Sequence, residues 1–98
     1  MTRPNIAQII GEPAVLEQLA QEAAEVSVTA LRLSRILRNE NPTNYNMLDT
    51  KEQLIKELSD LAVCTEALGI GARHKTVERK AREWEEATRA ACCPLLEV

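Results

Sequence analysis

The sequence predicts an all-α fold, with an antiparallel helical hairpin followed by a third helix in one domain spanning residues 1–98. Apolar residues recur at alternating spacings of three and four, which is the period of one helical face. No stretch alternates between apolar and polar residues as a half-buried strand does. Aromatic residues make up only 2% of the chain, so aliphatic side chains must form a thin core. We therefore expect oligomerisation to complete a core of the four-helix-bundle type.

The first long helix of the hairpin is predicted to begin at Pro13, because the missing N–H of proline is not needed in the first turn. The pattern ends near Asn39, and residues 41–46 predict a loop, since asparagine favours turns and Pro42 disfavours helical backbone just before it. A short leading helix is expected over residues 5–10. The predicted seam of the long helix consists of Leu16, Leu19, Ala23, Val26, Ala30, Leu33 and Leu37.

The second helix is predicted to start near Asp49 or Thr50, since either side chain can cap the free N–H groups. Glycines at positions 69 and 71 mark its end. Its predicted apolar face consists of Leu54, Leu58, Leu61 and Leu68, flanked by Ile55 and Ala62.

The third helix is predicted from about His74 to Ala91, with Pro94 ending it. Many charges lie on its outer face, and the residues expected to point inward are Val77, Ala81, Trp84 and Ala91. This spacing indicates that Trp84 belongs to the core rather than to a base-stacking site.

Composition excludes several classes of protein. The net charge of −3 argues against binding nucleic acid through bulk charge. No apolar run is long enough to cross a membrane, and the first residues lack the apolar stretch of a signal peptide, so we expect a cytoplasmic protein with no membrane partner. Cys64, Cys92 and Cys93 lack the CxxC spacing, which favours free thiols over metal ligation.

Four pairs of acids stand three residues apart: Glu22 with Glu25, Asp49 with Glu52, Glu57 with Asp60, and Glu83 with Glu86. The second pair has a capping explanation at the start of a helix. Each acid of the fourth pair has an arginine four residues earlier, Arg79 or Arg82, which is typical of a solvated, salt-bridged face. The first and third pairs lack such an explanation.

Those two pairs border the apolar seams, and among their four acids only Asp60 has a basic helical neighbour, Lys56. Carboxylates at a helix contact without counter-charges are costly, so something positive should bind there. In an antiparallel hairpin Glu22 can lie level with Asp60, and Glu25 with Glu57. A carboxylate cluster without His or Cys selects Mg²⁺, or alternatively Mn²⁺, over zinc.

The acidic motifs resemble a known family. Glu22-x-x-Glu25 followed about thirty residues later by Glu57-x-x-Asp60 is similar to the signature of the MazG-like nucleoside triphosphate pyrophosphohydrolases, the all-α NTP pyrophosphatases. The stretches 19–25 and 56–61 also resemble the family's two motif helices, and the resemblance covers about residues 14–91. One departure is Gln21, where the family often has a further glutamate.

The resemblance implies Mg²⁺-dependent hydrolysis of a (deoxy)nucleoside triphosphate between the α and β phosphates, for house-cleaning or control of the nucleotide pool. It implies Glu22, Glu25, Glu57 and Asp60 as metal ligands. Glu25 and Glu57 are the predicted catalytic residues, with Glu25 the candidate base. It also implies self-association into a homodimer or homotetramer. Basic residues of the third helix suit the remaining phosphate oxygens, and of these we select Lys75 and Arg79.

Two alternatives stay open from the sequence. The chain resembles phosphoribosyl-ATP pyrophosphohydrolase through the same superfamily, and substrate assays would separate the two enzymes. A non-enzymatic helical dimerisation module with a degenerate metal site is the other alternative. It predicts that the protein's melting is indifferent to divalent metal.

Overall fold

The computed structural model describes residues 5–40 and 44–92, and these ranges contain four helices and no strand. The helices are α1 (Ile6–Ile10), α2 (Glu12–Leu37), α3 (Met47–Leu68) and α4 (His74–Cys92). None of them is both long and apolar enough to span a bilayer. The all-α prediction is confirmed for this part of the chain.

Polar caps and glycines set the helix ends. The Asn5 side chain accepts a hydrogen bond of 2.8 Å from the Ala7 N–H and starts α1. Asn46 accepts one of 2.8 Å from the Asp49 N–H, so α3 begins two residues before the predicted start at Asp49. Gly69, at φ 68°, ends α3 in the left-handed conformation, as predicted. Pro94, the expected end of α4, lies outside the described residues.

Gly11 is the single residue between α1 and α2. Its backbone angles are φ 92° and ψ 148°, a combination that residues with a Cβ avoid. The short α1 is thereby turned back onto the hairpin, where it contacts both α2 and α3.

The hairpin of α2 and α3 is antiparallel and forms the centre of the fold. The end of α2 meets the start of α3, where the Arg32 guanidinium lies 4.2 Å from the centre of the Tyr45 ring. Three residues of the predicted α2 seam, Leu19, Val26 and Leu33, are half-buried as expected.

The rest of the α2 seam is rotated by one residue. The predicted members Leu16, Ala23, Ala30 and Leu37 are exposed. Their places are taken by the residues one position earlier, which are buried or half-buried: Val15, Glu22, Thr29 and Ile36. The sequence predicts burial of the more apolar of two adjacent stripes, whereas in the structure the less apolar stripe is the buried one.

The α3 seam shows the same feature. Leu54, Leu61 and Leu68 are half-buried as predicted, whereas Leu58 is exposed. The buried residue at that level is the preceding one, Glu57. Each of the two helices therefore carries a glutamate in the seam and an apolar residue beside it.

The shift leaves an apolar face on one side of the hairpin. In two antiparallel right-handed helices, the residues one position after the seam fall on the same side. The apolar residues at these positions are exposed, and we call them the apolar face: Leu16, Ala20, Ala23, Ala30, Leu37, Ile55, Leu58 and Ala62. The opposite side is polar and carries Glu25 and Asp60.

The helix α4 packs on none of α1, α2 and α3 in the part of the chain that the structure describes. Val77 is 49% exposed and Trp84 is 74% exposed. The prediction that Val77, Ala81, Trp84 and Ala91 point into a core is therefore wrong for the single chain. Periodicity shows that a helix has an apolar stripe, but it does not show what covers that stripe.

Candidate functional site

Two glutamates in the hairpin seam are held in the same way, one on each helix. Gln18 Nε2 donates a hydrogen bond of 2.7 Å to Glu22 Oε1, and Gln53 Nε2 donates one of 3.0 Å to Glu57 Oε2. In both cases the glutamine lies one helical turn before the glutamate, where side chains on the same face meet. Each glutamate thus has one oxygen bound by a neutral donor.

The second oxygen of each glutamate is buried and has no partner. Glu22 Oε2 and Glu57 Oε1 are inaccessible to solvent and accept no hydrogen bond, and Glu57 as a whole is only 7% exposed. A buried acceptor without a donor costs about 1–3 kcal/mol, and more if it is charged. Two facing helices therefore each carry an acceptor that a cation would satisfy.

Glu25 and Asp60 lie on the polar side of the seam, and both are exposed. The pKa of Glu25 is raised above its ordinary value, first because the neighbouring Glu22 carboxylate can accept a hydrogen bond from the protonated form of Glu25 and then because the negative charge of Glu22 disfavours the ionised form. Glu57 and Asp60 raise it further by repulsion. The four predicted carboxylates therefore act on one another electrostatically across the hairpin.

The donor set suits a hard divalent cation. Carboxylate oxygens are the ligands that Mg²⁺ and Mn²⁺ prefer, and two of them are buried without a partner. As the side chains stand, no group of three or more His, Cys, Asp or Glu in residues 5–40 and 44–92 is arranged to hold a metal ion. A full site would need Glu25 or Asp60 as a further ligand.

A cavity of about 280 Å³ lies beside the acids, between α1 and the hairpin. Its walls are mostly apolar, with three polar side chains at one side. Its lining residues are Ile6, Ile10, Val15, Gln18, Glu22, Asp60, Val63, Cys64 and Ala67. Burial, followed by the charges of Glu22 and Asp60, raises the pKa of the Cys64 thiol. The thiol therefore stays protonated and lines the cavity as an apolar group.

The two predicted phosphate-binding residues lie apart from the acids. Lys75 and Arg79 are on α4, which does not pack on the hairpin. Arg79 Nε lies 3.8 Å from Glu83 Oε1 in an exposed ion pair on the same helix. A single chain does not bring these cations to the carboxylates, and their role stays a prediction.

Gln18 and Gln53 are the site residues that motif reasoning missed. A signal for them exists in the sequence, since both helices carry the same pattern, Gln-Leu-x-x-Glu-x-x-acid, over residues 18–25 and 53–60. The fourth residue before each seam glutamate is the natural position for a donor on the same face. The pattern is informative only once the glutamates are known to be buried.

Comparison of the chain with protein families, with curated proteins and with solved structures finds no match. The candidate site therefore stands on its own residues and on their geometry.

Proposed function

We propose that the protein is a Mg²⁺-dependent nucleoside triphosphate pyrophosphohydrolase, which converts a (deoxy)nucleoside triphosphate and water into the monophosphate and pyrophosphate. The observation that carries the proposal is the pair of buried, unpartnered oxygens on Glu22 and Glu57. They lie in the hairpin seam, one on each helix, and Glu25 and Asp60 stand three residues further along the same two helices. Evolution would be expected to remove such costly groups from a helix contact unless they bind something.

Glu22 and Glu57 are the positioned ligands in this proposal, because each is held by a glutamine and presents its other oxygen into the seam. The exposed carboxylates of Glu25 and Asp60 complete the donor set. When bound, the divalent ion offsets the charge of the triphosphate and lowers the pKa of the attacking water. Mn²⁺ has the same ligand preference and is the alternative ion.

Glu25 is the proposed general base. A general base must lie within reach of the water whose proton it accepts. The side chain of Glu25 is exposed to water, three residues along α2 from the buried Glu22. It would take the proton of the water that attacks the α phosphorus, while the bond from that phosphorus to the bridging oxygen breaks.

A second copy of the chain is the proposed partner on the apolar face. That face carries exposed leucines and isoleucine, including Leu16, Leu37 and Ile55 at 49%, 61% and 54% exposure. Pairing two hairpins through it would give a four-helix bundle and leave the acidic side open to the nucleotide. Lys75 and Arg79, which do not reach the acids within one chain, would serve as phosphate partners in such an assembly.

A nucleotide panel with millimolar Mg²⁺ tests the activity, with pyrophosphate and orthophosphate measured separately. We expect pyrophosphate and a monophosphate from at least one nucleoside triphosphate. Glu57→Gln should lower the rate by about a hundredfold, which is typical for loss of one group that stabilises charge. Phosphoribosyl-ATP belongs in the panel because it shares the same bond cleavage.

Glu86→Gln is the matched control, because it makes the same change at an exposed position of α4. It should keep the wild-type rate. Release of orthophosphate, or equal rates for wild type and Glu57→Gln, would reject cleavage between the α and β phosphates. If the protein hydrolyses none of the nucleotides and its melting temperature does not change with Mg²⁺, it is instead the non-enzymatic helical module.

A further inference from the structure

The helix α4 carries an apolar stripe that no other described helix covers. The stripe runs along the helix at spacings of four, three, four and three, which is the a and d pattern of a coiled coil. Its members are all exposed: Val77, Ala81, Trp84, Thr88 and Ala91. Trp84 lies at its centre and is 74% exposed, which is unusual for so large an apolar ring.

The charges beside the stripe are segregated by sign. Glu78 and Glu85 lie on one flank and Lys80 lies on the other, with Arg73, the residue directly before the helix, on the same side as Lys80. Glu78 pairs with His74 at 3.0 Å, and Glu85 pairs with Arg89 at 2.6 Å, both within the helix and exposed to solvent. The flanking positions correspond to e and g of a heptad, which set partner choice and orientation.

We propose that α4 pairs in parallel and in register with α4 of a second copy. In a parallel pair each g residue meets the e residue five positions later on the other chain. Lys80 then faces Glu85 of the second copy, and Arg73 faces Glu78, so both charged flanking pairs attract. In an antiparallel pair that overlaps along the stripe, glutamates would face glutamates on one flank and Lys80 would face the uncharged Ala87 on the other, so no flanking pair would attract.

The stripe also suits this partner sterically. Trp84 of one copy meets Trp84 of the other, and its neighbours in the stripe, Ala81 and Thr88, are small enough to leave space for two indole rings. Burying the two rings supplies most of the apolar area of the contact. The contact joins identical residues, so it is a two-fold interface separate from the apolar face of the hairpin, and it does not depend on the proposed activity.

Trp84 reports directly on this contact, because the chain has one tryptophan. We expect its emission to shift to shorter wavelength, and its quenching by acrylamide to fall, as the protein concentration rises. Pairing of the hairpins alone would change the mass in light scattering and leave Trp84 in water. An emission that stays that of an exposed indole at every concentration at which the protein associates would overturn the proposal.

A charge reversal tests the parallel orientation. Glu78→Lys with Glu85→Lys makes both charged flanking pairs repulsive in the parallel dimer, so association monitored by Trp84 should weaken by about tenfold or more. Adding the variant Arg73→Glu with Lys80→Glu should restore it in the mixture. Glu83→Lys with Glu86→Lys is the matched control, since it makes the same change in charge away from the stripe. Equal association of the wild type and the first variant would overturn the parallel arrangement.

Disulfide trapping gives a second measurement that does not depend on charge. In a protein with Cys92→Ser and Cys93→Ser, the substitution Ala81→Cys should give a covalent dimer with oxidised glutathione, because residue 81 meets its own copy in a parallel pair. An antiparallel pair packs a positions against d positions, so it would place residue 81 opposite residue 91, or residue 77 opposite residue 88. A dimer formed by mixing Ala81→Cys with Ala91→Cys, or Val77→Cys with Thr88→Cys, and not by Ala81→Cys alone, would reject the proposal. Far-UV circular dichroism confirms that each variant is helical.

Discussion

The hairpin and α4 treat their acidic residues in opposite ways. On α4, the acids Glu78, Glu83 and Glu85 each pair with a basic side chain one helical turn away, His74, Arg79 and Arg89 respectively, and remain exposed to solvent. In the hairpin, Glu22 and Glu57 have a glutamine at that distance and keep one oxygen buried without a partner. The neighbour one turn away therefore distinguishes a solvated acidic face from a candidate binding site better than the spacing of the acids does.

Apolar residues differ between the two regions as well. In the hairpin, α2 and α3 pack together although their contact contains two glutamates, because leucine and valine side chains pack above and below them. The α4 stripe contains no acid and still has no partner within the described chain. An apolar stripe therefore does not by itself determine which helices pack together within this chain.

The largest expected effect is that of Mg²⁺, which should stabilise the hairpin and leave α4 unaffected. A cation that binds only the folded hairpin raises its stability by about 2.7 kcal/mol at a hundredfold excess over the dissociation constant. We therefore expect the melting temperature to rise with Mg²⁺ or Mn²⁺ in the wild type and in Glu86→Gln, and to lose this rise in Glu57→Gln. A wild type that melts at the same temperature in metal and in chelator would exclude the metal site.

Replacing the buried carboxylate by an apolar side chain should stabilise the metal-free protein. Glu57→Leu removes an acceptor that has no donor and fills the seam, so unfolding in urea with a chelator should require about 1–3 kcal/mol more. The same change at the exposed Glu83 of α4 should stay within about 0.5 kcal/mol of the wild type. A loss of stability in Glu57→Leu would mean that the carboxylate is satisfied in the folded protein.

The acidic cluster should also make stability depend on pH. Glu25 has a raised pKa in the folded protein, so the folded state holds its proton to higher pH than the unfolded state does. Stability in a chelator should therefore fall as the pH rises from the ordinary glutamate pKa through the raised one. Glu25→Gln should remove this fall, and Glu22→Gln should reduce it because Glu22 is the main cause of the shift. The effect is modest because Glu25 is exposed, and urea unfolding across pH measures it.

The smallest effect is expected on α4. Arg79→Gln breaks an exposed ion pair of 3.8 Å with Glu83, and such pairs contribute at most about 1 kcal/mol, usually less than half of that. Melting of the Arg79→Gln protein should be close to that of the wild type at 0.15 M salt, and the difference should vanish at high salt. A large loss would show that Arg79 has a contact beyond its own helix.

Helix positions were predictable from local chemistry. Proline at 13 and glycine at 69 act on their own backbone, so the ends that depend on them were found within a residue or two. The start of α3 was placed at Asp49 instead of Met47, because Asn46, Asp49 and Thr50 are all good caps and only the fold selects one. The capping hydrogen bond from the Asp49 N–H to Asn46 decides this.

Burial was less predictable than helix position. The more apolar stripe of α2, with Leu16 and Leu37, lies outside, whereas Glu22 and Thr29 lie in the seam. Hydrophobicity alone predicts that the first stripe is the more buried of the two, which is wrong. The sequence shows that α2 has an apolar surface, but it does not show whether that surface packs on α3 or stays exposed. The four acids of the candidate site were predicted from their lack of counter-charge, whereas the glutamines that donate to Glu22 and Glu57 could be identified only from the structure.

Gly11 gives the cavity beside the acids an unusual origin. Ile6 and Ile10 form one wall of it, and both belong to a helix of five residues that is attached to the hairpin through this one glycine. At φ 92° any side chain would be strained, although the space around a Cβ at this position is open. The position of this wall therefore depends on the backbone angle of Gly11. Gly11→Ala, which adds a single methyl group, would change the shape of the cavity next to Glu22 although Gly11 is not one of its lining residues.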